Sequence, residues 1–358
     1  MRKHILLGFL AMASSAAMAQ VNFPQTNKAS HGDAAYAWLP AGTGPTAGDA
    51  NTRGMAYHAP SGRLLFADRD SSTGNLVQSI NASTFANAGA LAGGSILSTS
   101  SLFAVNKVRV GTDGAIYVGS LTTAAGSPWY IHRHADLVTT SAIATTVTAN
   151  FRLGDDFVTT GGGNGLVGLA TGSGNTSVWR FTSVDGGVTL TGQQLSVTSD
   201  TLAGFNYFSF DPDNSTTVWS RQGQASNTTT SPLKLFTLNT STVDLVSTAT
   251  STIGGAGPHL MVRYNGTKYN LTAEIGASNA QVGQAGKLLV LVNATSGLVE
   301  FQGVGIERAG GLYANANGAG DVVWAPAVDR AFVYQTSNGV TAFNTGPIPA
   351  SARDWNLY

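Results

Sequence analysis

Six polar side chains recur at one position of a repeated segment, and their types could do chemistry if the chain brought them together. They are Arg53, Asn106, Asp155, Asn206, His259 and Asp321, 49 to 62 residues apart. Each is followed two residues on by an apolar residue: Met55, Val108, Phe157, Phe208, Met261 and Val323. Lys107 and Asp156 stand beside the set. Two carboxylates, two amides and an imidazole can hold a hard divalent cation through oxygen. A guanidinium such as Arg53 can instead clamp a carboxylate or a phosphate through two parallel hydrogen bonds. A third reading is structural: the polar groups bridge neighbouring elements, with Arg53 paired to Asp321, because ion-pair networks mimic functional sites.

Positioning these residues falls to short β-strands. Each copy opens a strand, turns, and enters a second strand rich in β-formers. The turns include Ala59-Pro60-Ser61-Gly62, Gly111-Thr112-Asp113-Gly114 and Asn265-Gly266, which have hairpin chemistry. Second strands read as 63–67, 115–118, 217–220, 268–271 and 331–334. Third strands read as 76–80, 129–133, 177–182, 233–238, 288–292 and 339–343. Fourth strands are fainter, as at 188–197 and 298–304. Units of about 40 to 50 residues with four strands each are what β-propeller blades look like. The expected fold is therefore all-β: a single β-propeller over residues 34–346 with six blades, or seven if one repeat has diverged. The last unit lacks a fourth strand, and 34–39 is the candidate to supply it and close the ring. A β-sandwich or open solenoid of the same hairpins is the competing architecture.

Length and composition agree with one large closed unit. The chain has 358 residues, 11% of them charged, with 44 glycines, no cysteine and a formal net charge of zero. Globular chains average about 25% charged. Without a basic run, nothing draws the chain to nucleic acid or to an anionic membrane by electrostatics. Without cysteine, disulfides, thiolate metal sites and Cys nucleophiles are excluded. Residues 1–19 read as a signal peptide: Arg2-Lys3, an apolar run from Ile5, and Ala17-Met18-Ala19 before cleavage. Residues 20–33 read as a flexible leader and 347–358 as a C-terminal tail. The expected product is exported, periplasmic or extracellular, with no membrane span after signal cleavage.

The chain resembles a group of uncharacterised bacterial secreted β-propellers that share a domain of unknown function. The resemblance lies in Arg53-Gly54-Met55-Ala56-Tyr57 with Ser61-Gly62-Arg63-Leu64-Leu65. It continues in Val105-Asn106-Lys107-Val108 with Gly111-Thr112-Asp113-Gly114-Ala115-Ile116-Tyr117, and in Leu153-Gly154-Asp155-Asp156-Phe157. It implies a propeller fold and export, and brings no activity with it.

Other motifs weigh less. Gly163-Asn164-Gly165-Leu166-Val167-Gly168 matches the dinucleotide-binding glycine pattern, but a β-like run follows where a helix is needed, so Asn164-Gly165 reads as a hairpin turn. His132, His134 and Asp136 alternate on a strand and could chelate a metal, or simply be the polar face of an exposed third strand. Asp211, Asp213 and Ser215 resemble the opening of a calcium loop, yet Pro212 favours a tight turn. Trp129, Trp179 and Trp219, one per repeat, read as core.

Two functions stay open. The first is an exported binding or scaffold module that engages a glycan, a peptide or an envelope component at one mouth of the channel through Arg53, Asn106, Asp155, Asn206, His259 and Asp321. The second is a metal-dependent hydrolase or lactonase with one divalent cation, calcium or zinc, held by Asn106, Asp155, Asn206 and Asp321. No nucleophile motif decides whether the chain is an enzyme.

Overall fold

Runs in which every residue is apolar or small become strands here because both of their faces are buried. The computed structural model describes residues 23–30, 52–69, 77–91, 103–160, 163–172, 176–198, 202, 205–223, 232–249, 257–273, 288–292, 298–302, 319–336 and 338–346. Their regular structure is β-strand, with two short 3-10 turns at Ala59–Ser61 and Pro326–Val328. The expectation of an all-β chain holds. No helix among the described residues is long and apolar enough to cross a membrane.

In chain order, β1 (Gln25–Ser30) stands alone and six meanders follow. The first is β2 (Thr52–His58), β3 (Arg63–Asp68), β4 (Val77–Asn81) and β5 (Asn87–Ala90). The second is β6 (Phe103–Val110), β7 (Ile116–Leu121), β8 (Pro128–His134) and β9 (Ala142–Thr148). The third is β10 (Asp156–Thr159), β11 (Gly165–Thr171), β12 (Ser177–Ser183) and β13 (Thr191–Thr198). The fourth is β14 (Phe205–Asp211), β15 (Asn214–Gly223), β16 (Lys234–Leu238) and β17 (Thr242–Thr248). The fifth is β18 (His259–Tyr264), β19 (Thr267–Ala273), β20 (Leu288–Val292) and β21 (Leu298–Gln302). The sixth has three strands of its own, β22 (Gly320–Ala325), β23 (Arg330–Gln335) and β24 (Gly339–Asn344), and β1 adds antiparallel to β24 as its fourth.

Each meander forms its own sheet, except that the third and fourth fuse into one of eight strands. The fusion is a short parallel ladder between outer strands, Ser196 to Thr198 of β13 against Thr242 to Asp244 of β17. A hydrogen bond of 2.6 Å from Thr198 Oγ1 to Asp244 Oδ1 pins it. Repeat spacing gave no sign of this link.

Six cores lie between consecutive meanders. Side chains alternate across a strand, so Met55, Leu64 and Phe66 pack against Val323, Phe332 and Tyr334 of the sixth meander. Their neighbours Ala56, Leu65 and Ala67 pack against Val105, Val108 and Val118 of the second. Aromatic residues fill the next core, where Trp129 meets Phe157 and Phe181. Further cores join the third meander to the fourth, the fourth to the fifth, and the fifth to the sixth. Fully burying one Leu or Phe is worth about 1.5–3 kcal/mol, so each interface is a substantial source of stability. The first strands also touch in succession, β2 to β6, β6 to β10, β10 to β14, β14 to β18, β18 to β22, and β22 back to β2. The circle of contacts closes.

One expectation is corrected at the N-terminus. The leader expected at 20–33 contains β1, whose Lys28 and Ala29 pair with Thr341 and Val340. Phe23 sits in the core beside Trp324 and Tyr264. The sequence Gln25-Thr26-Asn27-Lys28-Ala29-Ser30 is mostly polar because an outer strand buries little, which leaves hydrophobic periodicity nothing to detect. The candidate closing strand at 34–39 lies outside the described residues, as do 1–19 and 347–358.

Candidate functional site

The inner wall of this circle starts from a covalent fact: each first strand pairs on one side only, so the other edge exposes backbone N–H and C=O groups. Buried side chains from neighbouring meanders satisfy many of them. Asp321 Oδ2 accepts the N–H of Met55 at 2.8 Å. Asp156 Oδ2 accepts the N–H of Phe208 at 2.9 Å, and Ser209 Oγ that of Met261 at 2.8 Å. Met55, Phe208 and Met261 are the aligned apolar positions of three repeats. Carbonyls are capped in the same way: Lys107 Nζ donates to Gly320 O at 3.0 Å and to Arg53 O at 3.4 Å.

Arg109 ties this wall together. Its Nη1 donates to Asp321 Oδ2 at 2.9 Å, and its Nη2 to Asp321 Oδ1 at 3.0 Å and Asp156 Oδ1 at 2.8 Å. Lys107 lies 3.5 Å from Asp321 Oδ2 and faces the Tyr207 ring at 4.9 Å. Two cations thus meet two carboxylates in a layer that is almost wholly buried. Burial alone would pull the Arg109 guanidinium down, but Asp321 and Asp156 outweigh it and hold it above its ordinary value. Burial lowers the Lys107 ammonium, against the pull of the same carboxylates.

The six aligned polar residues do not surround one opening. Arg53, Asn106 and Asp155 line a cavity of about 250 Å³ at the starts of the first strands, with Arg69, Lys107, Arg152 and Tyr207. His259 and Asp321 line a larger cavity of about 1050 Å³ over the C-terminal halves of those strands. Asn206 is buried and lines neither. A one-residue slip accounts for much of the split, because it turns a side chain to the opposite face. Asp155 precedes β10, whereas Asp321 lies inside β22. The true counterpart of Asp321 is Asp156, since both bind Arg109 and both cap an inner N–H. Asp155 is instead held by Arg152, with Nε to Oδ2 at 2.7 Å and Nη2 to Oδ1 at 2.6 Å. The expected pairing of Arg53 with Asp321 is likewise replaced, since Asp321 binds Arg109 and Lys107.

His259 is structural. Asn270 Nδ2 donates to its Nδ1 at 2.9 Å, so Nε2 carries the proton and donates to Tyr207 O at 3.1 Å. Burial pushes the imidazole down to about 3, with Arg221 adding to the shift against the Tyr207 carbonyl. A ring that weakly basic is no general base at neutral pH.

The four donors expected to hold a cation, Asn106, Asp155, Asn206 and Asp321, do not form one set. Asn106 accepts from Arg69 Nη2 and donates to Gly154 O, Asp155 is taken by Arg152, and Asp321 by Arg109. Among the described residues no group of three or more His, Cys, Asp or Glu could hold a metal ion. His132 and His134 are buried rather than exposed, and burial lowers both, His132 to about 4. Asp136 sits apart in the following turn, accepting from the N–H groups of Val138 and Thr139. Asp211 and Asp213 make a tight turn whose carboxylates bind Lys268 and Arg263.

Sequence reasoning missed the wider cavity. Its walls are inner-strand residues, among them Met55, Tyr57, Phe208, Phe210, Met261 and Trp324, with Arg109, Arg263 and Asp321 on the same strands and Thr112 and Asn265 in turns. The available signal was Lys107 and Arg109 two apart on one strand, which puts both cations on one face.

Comparison with solved structures finds a likeness to a DUF4623 family protein from Bacteroides eggerthii DSM 20697, with a TM-score of 0.63 and 15% identity. The match covers 83% of this chain and 70% of that one. This is a shared fold with a bacterial protein whose family is one of unknown function, in line with the resemblance read from the sequence. No family model matches the chain, and no curated protein matches it.

Proposed function

We propose that the six meanders are the blades of one six-bladed β-propeller, exported from the cell, and that it is a binding module whose ligand enters the wider mouth of the central channel. The blade reading rests on six four-stranded units, six cores between consecutive units and a closed circle of first strands. The binding reading rests on one observation, the cavity of about 1050 Å³ walled by Met55, Tyr57, Phe208, Met261 and Trp324. Ligand sites are typically clefts of about 300–1,000 Å³ with mainly apolar walls and a few placed polar groups. Here the polar groups are the buried Arg109–Asp321 pair, Arg263 on β18, and Thr112 and Asn265 at turns. That chemistry suits an apolar or aromatic group, such as a peptide side chain, better than a bare glycan. The polar residues picked out by the repeats are then the frame of the channel.

The test is a ligand-observed NMR screen of aromatic and dipeptide fragments against wild type and Leu260→Trp. Leu260 lines the cavity and is only partly buried; it also packs against the core between the fifth and sixth meanders, so the variant is first shown to unfold in urea at a midpoint close to wild type. Fragments should bind wild type and fail on the variant. Equal binding to both would place the site elsewhere and end this reading.

A further inference from the structure

The wider cavity is walled by backbone as well as by apolar side chains. In an antiparallel ladder, residues that turn N–H and C=O to the partner strand alternate with residues that turn both to the opposite edge. Every first strand lies at one end of its meander and has that edge unpaired. Bonds from neighbouring meanders identify the residues concerned. Met55, Phe208 and Met261 turn their N–H groups to the unpaired edge, where Asp321, Asp156 and Ser209 accept them. Gly320 and Val108 turn their carbonyls there, accepting from Lys107 Nζ at 3.0 Å and Arg109 Nη1 at 2.8 Å.

Counting on by twos along the same strands gives Tyr57, Val110, Phe210, Arg263 and Trp324 as the next residues on those edges. All five line the wider cavity. Among the described residues, no protein group accepts their N–H. The side chains that satisfy the earlier positions are therefore not repeated here, and a set of main-chain donors opens on the cavity. We infer that the ligand of the wider cavity is a neutral stretch of polypeptide, its main-chain amides hydrogen-bonded to these edges and one apolar side chain against Met55, Phe208 and Met261. The inference rests on the binding reading above and names its ligand class.

Two arguments select this chemistry. A purely hydrocarbon ligand would displace water from the edge N–H groups and leave them unmade, which is costly. A sugar would satisfy them but would press its remaining hydroxyls on Met and Phe walls, where they find no partner. A peptide carries amides along its chain and apolar groups beside it, and main-chain bonds with side-chain pockets are a general mode of peptide recognition. Charge selects against chain ends. Arg109 is matched by Asp321 and Asp156, and Arg263 Nε donates to Asp213 Oδ1 at 2.9 Å, so a terminal carboxylate or ammonium displaces an existing ion pair or goes without one.

The experiment is titration of wild type and Leu260→Trp with N-acetylphenylalanine N-methylamide, its methyl ester, free phenylalanine and N-acetylglucosamine, followed by ligand-observed NMR and by amide shifts of the ¹⁵N-labelled protein. The diamide should bind one site. The ester, which lacks one N–H, should bind about three- to tenfold more weakly, the effect of about one net hydrogen bond, and free phenylalanine more weakly still. Amide shifts should appear at Tyr57, Val110, Phe210, Arg263 and Trp324, with Met55 and Met261 little changed. Equal binding of diamide and ester, lost for both in Leu260→Trp, would overturn the inference and leave the cavity reading standing. Tighter binding of N-acetylglucosamine than of the diamide would assign a glycan instead and overturn it. Absence of binding by all four probes, or diamide binding unchanged in Leu260→Trp, would overturn both.

Discussion

Removing the Asp321 carboxylate is the sharpest perturbation of the inner wall. In the native chain it accepts the Met55 N–H at 2.8 Å, both terminal nitrogens of Arg109 at 2.9 and 3.0 Å, and faces Lys107 at 3.5 Å. Asp321→Ala leaves two buried cations sharing Asp156 and an inner-strand N–H with no acceptor. Breaking a buried pair from one side costs about 3–5 kcal/mol, and an orphaned buried N–H about 1–3 kcal/mol. These overlap, so the expected loss is about 4–6 kcal/mol, a large share of the roughly 5–15 kcal/mol a domain has. Urea unfolding followed by tryptophan fluorescence reads it. Asp321→Asn keeps shape and one acceptor, and should lose less. Arg109→Met combined with Asp321→Asn should cost at least about 1 kcal/mol less than the two single changes summed, the sign of direct coupling. A loss below about 1 kcal/mol in Asp321→Ala would refute the reasoning, because the carboxylate would then be solvated and not a structural cap.

Three further outcomes are expected. Gly54→Ala should destabilise by about 1–3 kcal/mol in the same assay, because its Cβ would stand 3.0 Å from Lys107 Cα and 3.1 Å from Val108 N, backbone that cannot step aside. His259 is held near 3 when folded against about 6.5 unfolded, so the unfolded chain takes up the proton first and stability falls as pH drops below about 6.5. Between pH 7 and pH 5 the stability advantage of wild type over His259→Gln should shrink by about 2 kcal/mol; an unchanged difference would show the ring to be solvated. Lys28→Cys with Thr341→Cys places thiols on paired residues of β1 and β24, within the roughly 4.4–6.8 Å Cα range of a disulfide. In a chain with no native cysteine, mild oxidation should consume both thiols in Ellman titration, and persistence of both in the folded protein would contradict β1 as the closing strand.

The repeat was legible because the inner strands of the meanders, such as β3, β7 and β22, are buried on both faces and the hairpins use turn residues with few alternatives. Asn265 and Gly266 both adopt positive φ between β18 and β19, and Gly165 does so at the start of β11, where the dinucleotide-like pattern proves to be a hairpin. The closing strand was not legible, since Gln25–Ser30 is polar and its position depends on β24, more than three hundred residues away. The site was half legible. Aligning strand starts located Asp321 and the inner wall, but a slip of one residue chose Asp155 where Asp156 does the equivalent work. Alignment by residue type does not register which face a side chain takes. The wider cavity has no motif at all; its walls are the same Met, Phe and Trp residues that read as core, and only the closed succession of contacts among the first strands brings them around one space.

The most direct measurement is a crystal structure after soaking with the fragments that bind in solution. The account predicts density inside the cavity bounded by Phe208, Met261 and Trp324, above the Arg109–Asp321 pair. Density only on outer strands, or only beside Arg53 and Arg69, would contradict it.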